Sequence, residues 1–418
     1  MRIAIVGAGV SGLVAAYLLH GGNDVAVFEA NDRIGGHVNT VDVTEGERTF
    51  GVDTGFIVYN ETTYPLFTRL LSRLGVATRE SVMSFSVRCE RSGLEYNGTS
   101  LASLFAQKRN LFRPRFHRMI RDILRFNGEA ARRLRDGSLP EDLPLGRLVS
   151  GGAYSREFLE HYLVPMGAAV WSMPPARLLE FPAAFFARFF ENHGFLSVGK
   201  RPVWRVVRGG SRTYVEALVR PFRDRIRLSS PVTRVLRKED HVTVDGERFD
   251  HVVFACHSDE ALRALGDPSG AEREILAAIP YQGNEALLHT DASLLPRAKR
   301  ARAAWNAHVG AFSRTREEEA AAGVTVTYDM NRLQSLDAKE TYCVTLNGSG
   351  AVAAGRRLRS FAYSHPVATV AGAAARRRRD EVSGSGRTHF CGAYWGYGFH
   401  EDGVRSAVDV AGRFGAAL

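Results

Sequence analysis

The chain opens on an apolar run, Arg2–Val6 (RIAIV), which predicts a short buried strand. Gly7-Ala8-Gly9-Val10-Ser11-Gly12 breaks the run, and LVAAYLLH at 13–20 takes up helical patterning. DVAVFEA at 24–30 then predicts a second strand ending near Glu29. Further along, residues 100–195 read mainly as helices, and 281–365 as strands in the phrases EALLHTD, VTVTYDM and YCVTLN. No repeat of fixed period is present. Phe112, Phe116, Met119, Ile120, Ile123 and Leu124 follow i, i+4, i+7, i+8, i+11, i+12, an apolar stripe on one helical face. Pro114 is tolerated only in a first turn and so sets the start of that helix.

Arg113, Arg115, Arg118 and Arg121 interleave with the stripe, Arg125 follows it, and Lys108 and Arg109 precede it. A basic amphipathic helix suits an anionic membrane surface; the other reading is a domain helix with its stripe in the core. Phe181–Phe190 holds a dense set of phenylalanines, which reads either as a core helix or as the wall of an apolar tunnel. Arg376–Arg379 reads as a solvated face.

Hydrophobic residues make up 45% of the 418 and charged residues 24%, which excludes a disordered chain. No apolar run reaches the ~18–20 residues of a membrane span. Cys89, Cys256, Cys343 and Cys391 are far apart and form no CxxC pair, which argues against a disulfide framework or a zinc ribbon. The histidines do not cluster at ligand spacing, so no metal is expected. The net charge of +10 asks for anionic partners: a phosphorylated cofactor, an anionic lipid or nucleic acid. No nucleic-acid-binding motif accompanies the charge, and no nucleic-acid partner is expected. The N-terminal stretch lacks a cleavage pattern, and its glycines suit a nucleotide turn better than a secretion signal. The expected location is cytoplasmic, with peripheral association at the inner membrane surface as the extension.

The glycine turn carries definite chemistry. Gly7 permits the tight turn, Gly9 lets a pyrophosphate approach the amides at the helix start, and Gly12 allows close helix–strand packing. Glu29, twenty residues after Gly9, can accept hydrogen bonds from a ribose diol. Arg33-Ile34-Gly35-Gly36-His37 offers a second close backbone approach with a cation beside it. Asp53-Thr54-Gly55-Phe56-Ile57 adds another turn.

Glu29 followed by R-x-G-G resembles the flavin amine oxidase superfamily, FAD proteins that include monoamine oxidases and phytoene-type desaturases. Val207–Ser211 leading into a helix, Pro231–Val235 as a strand, Phe390-Cys391-Gly392 closing a strand, and Glu401-Asp402-Gly403-Val404 opening the last helix fit the same pattern in the same order. The resemblance implies an α/β fold: a Rossmann-like FAD-binding domain from 1–85, 200–260 and 385–418, with an inserted α+β substrate domain from 86–199 and 261–384. It implies non-covalent FAD held by Gly7, Gly9, Ser11, Gly12, Glu29, Ala30, Arg33, Gly36, His37, Gly55, Phe56, Ile57, Val232, Gly392, Asp402, Gly403 and Val404. In the family the last helix points its N-terminus at the flavin, where reduced flavin is negative. Three departures stand out: His37 replaces a second basic residue, the lysine near flavin N5 has no counterpart, and the paired aromatic cage is not evident.

The phrases DTGFIVYN (53–60), YSHPV (363–367) and FCGAYWGYGFHEDG (390–403) are similar to a bacterial group of FAD proteins. That group is itself similar to the N-terminal region of plant cyclopropane fatty acid synthases and to desaturases of methyl-branched chains. The resemblance implies a lipid or fatty acyl substrate and a desaturase-like dehydrogenation. Alternatives are a double-bond isomerase, an amine oxidase, and a non-catalytic flavoprotein partner of a lipid methyltransferase. Tyr394, Trp395 and His400 are the catalytic candidates, with Tyr397 and Glu401 beside them. The aromatics would pack on the ring system or substrate, and His400 would move a proton near neutral pH. Packing or capping is the competing role for each, and Asp402 reads as a helix cap.

Overall fold

The computed structural model describes residues 1–171, 175–197, 199, 202–310 and 324–418. Arg2–Val6 and Asp24–Phe28 form strands, and Val10–Leu19 forms the helix between them. They sit in a five-stranded parallel sheet, in the order Ile226–Arg227, Asp24–Phe28, Arg2–Val6, His251–Phe254, Thr388–Phe390. Ile3 and Ile5 point to one core and Ala4 and Val6 to another, so the first strand is apolar on both sides, as a covered parallel sheet requires. The first helix and the last, His400–Gly412, cover one face. Ser258–Ala264 and Gly270–Ala277 cover the other.

Two glycines fix the approach of these pieces. A Cβ on Gly12 would lie 1.9 Å from the Gly7 carbonyl oxygen. One on Gly403 would lie 2.8 Å from Val10 Cγ1 and 2.9 Å from Ser11 Oγ, so the last helix seats directly on the first turn of the first.

The second half is a seven-stranded sheet, in the order Arg357–Pro366, Tyr281–His289, Cys343–Leu346, Val324–Asp329, Trp305–Val309, Phe85–Cys89, Leu94–Asn97. Its pairings are antiparallel except that of Trp305–Val309 with Phe85–Cys89. Val326, Tyr328, Val344 and Ala286 make one apolar face. The opposite face buries polar side chains that bond one another, including Ser86 with Asn306 (2.8 Å) and Thr327 with Thr345 (2.8 Å). Residues 85–97 thus join this sheet; the boundary expected at 200 lies outside the described residues.

Helices from Pro114–Arg135 to Ala183–Asn192 pack over this sheet. The apolar stripe divides: Phe116 and Met119 are buried, whereas Phe112 belongs to a preceding 3-10 turn, Lys108–Phe112, and is 86% exposed. In the phenylalanine-dense segment, Phe181, Phe186 and Phe190 are fully buried, which makes it a core helix at those positions. Pro231–Arg234 is not a strand; pairing begins at Val235. Arg376–Arg379 is a solvated face only in part: Arg377 is exposed and Arg378 pairs with Glu274 and Glu381 at the surface, whereas the other two turn inward. Arg376 Nε donates to the Tyr394 carbonyl (2.7 Å), and Arg379 donates to the Ser406 carbonyl (3.0 Å) and Asp409 (2.8 Å).

Asp53 ties the halves together. Its carboxylate accepts from Thr40 Oγ1 (2.6 Å), Ser211 N and Oγ (2.9 and 2.7 Å) and Gln334 Nε2 (3.1 Å). Burial pushes its pKa up to about 6 against the pull of those donors. Asp53→Ala strands several buried donors at ~1–3 kcal/mol each, so a loss of several kcal/mol is expected in urea unfolding. A wild-type midpoint would contradict this role.

Candidate functional site

A cavity of about 890 Å³ lies between the two halves, near the upper end of the ~300–1,000 Å³ typical of ligand sites. Its nucleotide end is built on the glycine turn. Gly9 is the N-cap of the first helix and has no side-chain cap, so the first amides of that helix are left for a ligand. A Cβ built on Gly9 meets nothing within 4 Å, and Gly9 lines the cavity. Glu29 is 6% exposed; one carboxylate oxygen accepts from Ala8 N (2.7 Å), the other from Asn31 N (2.9 Å) and Nδ2 (2.7 Å). These bonds aim the carboxylate and leave lone pairs for a diol.

Gly7, Ser11, Ala30, Arg33, Gly36 and His37 line the same end. Gly36 has φ +58°, and a Cβ there would sit 3.1 Å from Gly9 Cα, so the second glycine turn presses on the first. Val232, on the extended segment before Val235–Arg237, closes that end together with Glu260 and Arg263. Gly55, Phe56 and Ile57 form a wall; a Cβ on Gly55 would lie 2.1 Å from the His37 carbonyl oxygen. Gly392 and Tyr394 line the cavity from the last strand and its turn.

Other expected residues lie elsewhere around the site, Gly12 and Asp402 in the packing and capping roles read for them. Gly12, Trp395, Asp402, Gly403 and Val404 are not among the lining residues. Gly12 and Gly403 serve close packing, as above. Trp395 packs into the core beyond the sheet, with the Arg379 guanidinium 5.7 Å over its ring. Val404 is fully buried beneath the first helix. Asp402 accepts from Tyr397 N and Phe399 N (both 3.0 Å), which caps the last helix and fixes the loop; burial pushes its pKa up to about 6. Glu401 caps another helix, accepting from Leu66 N (3.1 Å) and Phe67 N (2.9 Å). His400 lines the cavity, but its Nε2 meets the Tyr214 hydroxyl (2.6 Å) and its ring stacks on Phe56 at 3.6 Å. Burial lowers its pKa to about 3, so it does not hold a proton near neutral pH. Cys391 is fully buried in the core, outside the lining.

Sequence reading offered Phe181–Phe190 and Tyr397 for the far end of the cavity but missed the rest of it. Trp305 and Tyr328 meet as a cross-strand pair, ring centroids 5.2 Å apart. Phe189 stacks on His193 (3.9 Å) and Phe399 (4.8 Å), and Trp171, Phe195, Trp204 and Tyr397 complete the wall. His193 Nδ1 lies 2.9 Å from the Phe189 carbonyl. A carbonyl only accepts, so Nδ1 carries the hydrogen and Nε2 keeps a lone pair. Burial lowers its pKa to about 4. The ionised side chains that line the cavity (Glu29, Arg33, Glu260 and Arg263) all belong to the nucleotide end, and no lysine lines it among the described residues. The described His, Cys, Asp and Glu side chains form no metal-binding group.

The uncapped helix start, the open Gly9, the paired glycine turns and the oriented Glu29 fit the pyrophosphate and ribose of a dinucleotide. Together with the two-part fold they define the class of FAD-dependent oxidoreductases. The model of the flavin containing amine oxidoreductase family matches residues 10–291, and the chain belongs to that family.

Among solved structures, the chain is similar to cyclohexylamine oxidase from Brevibacterium oxydans (18% identity, 99% of each chain, TM-score 0.70). It is similar to a redesigned putrescine oxidase (18%, 99% of this chain and 98% of that one, TM-score 0.69) and to a CLA-producing fatty acid isomerase from P. acnes (16%, 99% and 98%, TM-score 0.68). At these identities the likeness is one of fold. L-amino-acid oxidase of Sistrurus catenatus edwardsii is 60% identical over 40 residues, which are 9% of this chain and 8% of that protein.

Proposed function

We propose that the protein dehydrogenates a lipid acyl chain, with FAD bound non-covalently. The observation that carries this reading is the far half of the cavity, which is aromatic and apolar and holds no ionised acid or lysine among the described residues. An ammonium substrate finds no counter-charge among the described side chains there. An alkyl chain finds a surface on which each buried methylene contributes ~0.8 kcal/mol. The fatty acid isomerase among the similar folds supports acyl chains as a substrate class for this architecture.

Bound FAD supplies the two-electron acceptor. Two hydrogens leave adjacent carbons as the double bond forms, one with its electron pair and one as a proton. His193, whose Nδ1 hydrogen is committed to the Phe189 carbonyl, takes the proton at Nε2 and, with its pKa lowered to about 4, passes it on rather than holding it. Phe189, Trp171 and Tyr397 hold the chain and exclude water.

The test is anaerobic flavin bleaching with phospholipids carrying saturated, methyl-branched or unsaturated chains, beside a panel of amines. Bleaching by acyl chains is expected. Bleaching by amines alone overturns the reading, and a moved double bond without bleaching replaces it with isomerisation. Activity that appears only with a lipid methyltransferase added points to the partner role. Phe189→Ala should shift chain-length preference at unchanged FAD content. Phe186→Ala should instead cost ~3–5 kcal/mol of stability, since that ring is core.

A further inference from the structure

We propose that residues 101–121 form a docking surface that seats the protein on an anionic bilayer. The proposal stands on exposure and charge, and is independent of what the cavity binds. Phe112 is 86% exposed, Leu101 77% and Leu111 47%. From Asn97 to Arg121 the sequence holds six basic residues (Lys108, Arg109, Arg113, Arg115, Arg118 and Arg121) and no acidic one. Arg115 pairs with Glu157 at 3.6 Å. Lys108, Arg109, Arg118 and Arg121 are exposed and have no ion-pair partner among the described residues. Elsewhere exposed arginines do find carboxylates, as Arg225 finds Asp24 and Arg263 finds Asp259.

The segment is held in this presentation. Gln107 donates to the Gly93 carbonyl (2.9 Å) and accepts from Glu95 N (3.1 Å), which fastens it to the strand pair beneath. His117 Nε2 meets the Leu111 carbonyl at 2.8 Å, and Phe105 packs edge-on to the buried Phe116 at 5.7 Å. Phe116 and Met119 therefore anchor the long helix inward while Leu111 and Phe112 face outward. Apolar side chains amid unpaired cations match the acyl boundary and phosphates of an anionic bilayer, where the two attractions reinforce each other. No described helix is long and apolar enough to cross a membrane, so the contact is peripheral.

The experiment is sedimentation of the full FAD-loaded chain with phosphatidylcholine vesicles, with and without phosphatidylglycerol, at low and high salt. Recovery only with phosphatidylglycerol, released by salt, is expected. Arg118→Gln and Arg121→Gln should each weaken partition about fivefold. Phe112→Ser should weaken it roughly tenfold, with the melting temperature and FAD content kept because the ring touches little of the fold. Equal recovery with both vesicles, no recovery with either, or unaltered partition of these variants overturns the proposal. So does a self-associated form, in the absence of vesicles, that Phe112→Ser dissolves, since the occupant is then a second copy. Bleaching by detergent-dispersed lipid needs no bilayer, so failure here leaves the substrate reading to its own test.

Discussion

Gly9→Val should yield a folded protein that is colourless. A Cβ at this position meets no atom within 4 Å, and the backbone there, φ −75° and ψ −177°, is one a valine adopts without strain. The apoprotein should therefore melt as the wild type does. The added methyls project into the cavity over the amides of the first helix, where the pyrophosphate has to come. A loss of at least ~100-fold in FAD affinity is expected, equivalent to ~3 kcal/mol. Gly12→Ala makes the contrast. Its Cβ would fall 1.9 Å from a backbone oxygen that cannot yield, so protein and cofactor should be lost together. Glu29→Ala lies between them and should weaken FAD binding by ~1–3 kcal/mol through lost charged hydrogen bonds. Absorbance and melting curves of the three variants check this. Normal yellow colour in Gly9→Val would remove the glycine turn from the cofactor site.

The second large effect is acid lability. Burial lowers the pKa of His289 to about 4, His308 to about 3 and His389 to about 4, all outside the cavity. His193 and His365 at about 4 and His400 at about 3 behave alike on its walls. The unfolded chain takes up protons at these groups as pH falls through ~6.5, while the folded chain does not until near 4. Stability is therefore intact above ~6.5 and falls through the window below it, by about 1.4 kcal/mol per pH unit for each histidine. Asp53 and Asp402 act oppositely. Raised to about 6, they protonate first in the folded state and offset part of the loss below that pH. More histidines than acids are shifted, so the net sign is destabilising. Urea midpoints at pH 7.5, 6.5 and 5.5 should fall steeply, and His308→Leu should flatten the slope. Midpoints that hold constant to pH 5.5 would refute the account.

The cofactor half was legible in the sequence because its signals are local and steric. Gly7, Gly9, Gly12 and Glu29 fall within one strand–helix–strand unit, and each has a backbone reason to be what it is. Most of the far half was not legible, because non-local pairing builds it. Trp305 and Tyr328 are brought opposite each other by the register of two strands, and nothing within either strand says which face meets a cavity. The phenylalanine-dense helix shows the same limit in another form. Phe186 and Phe189 are three positions apart on one helix, yet one is core and the other is wall. With phenylalanine on nearly every face, the pattern carries no phase. Trp395 failed for a related reason: one residue beyond Tyr394, it turns through the short 3-10 segment Ala393–Trp395 into the opposite core.

The seat of Gly403 on Val10 and Ser11 has a consequence for how the protein is made. The ribosome delivers the first turn of the first helix almost four hundred residues before the helix that covers it. The strands of the seven-stranded sheet are complete once Pro366 has emerged, but Thr388–Phe390 and the last helix come only afterwards. During most of synthesis the nucleotide half thus presents an open sheet edge and an uncovered apolar helix to solvent or to a chaperone. Cofactor loading is therefore expected only after the last helix has been released, and a chain stalled before it is expected to be open to proteolysis.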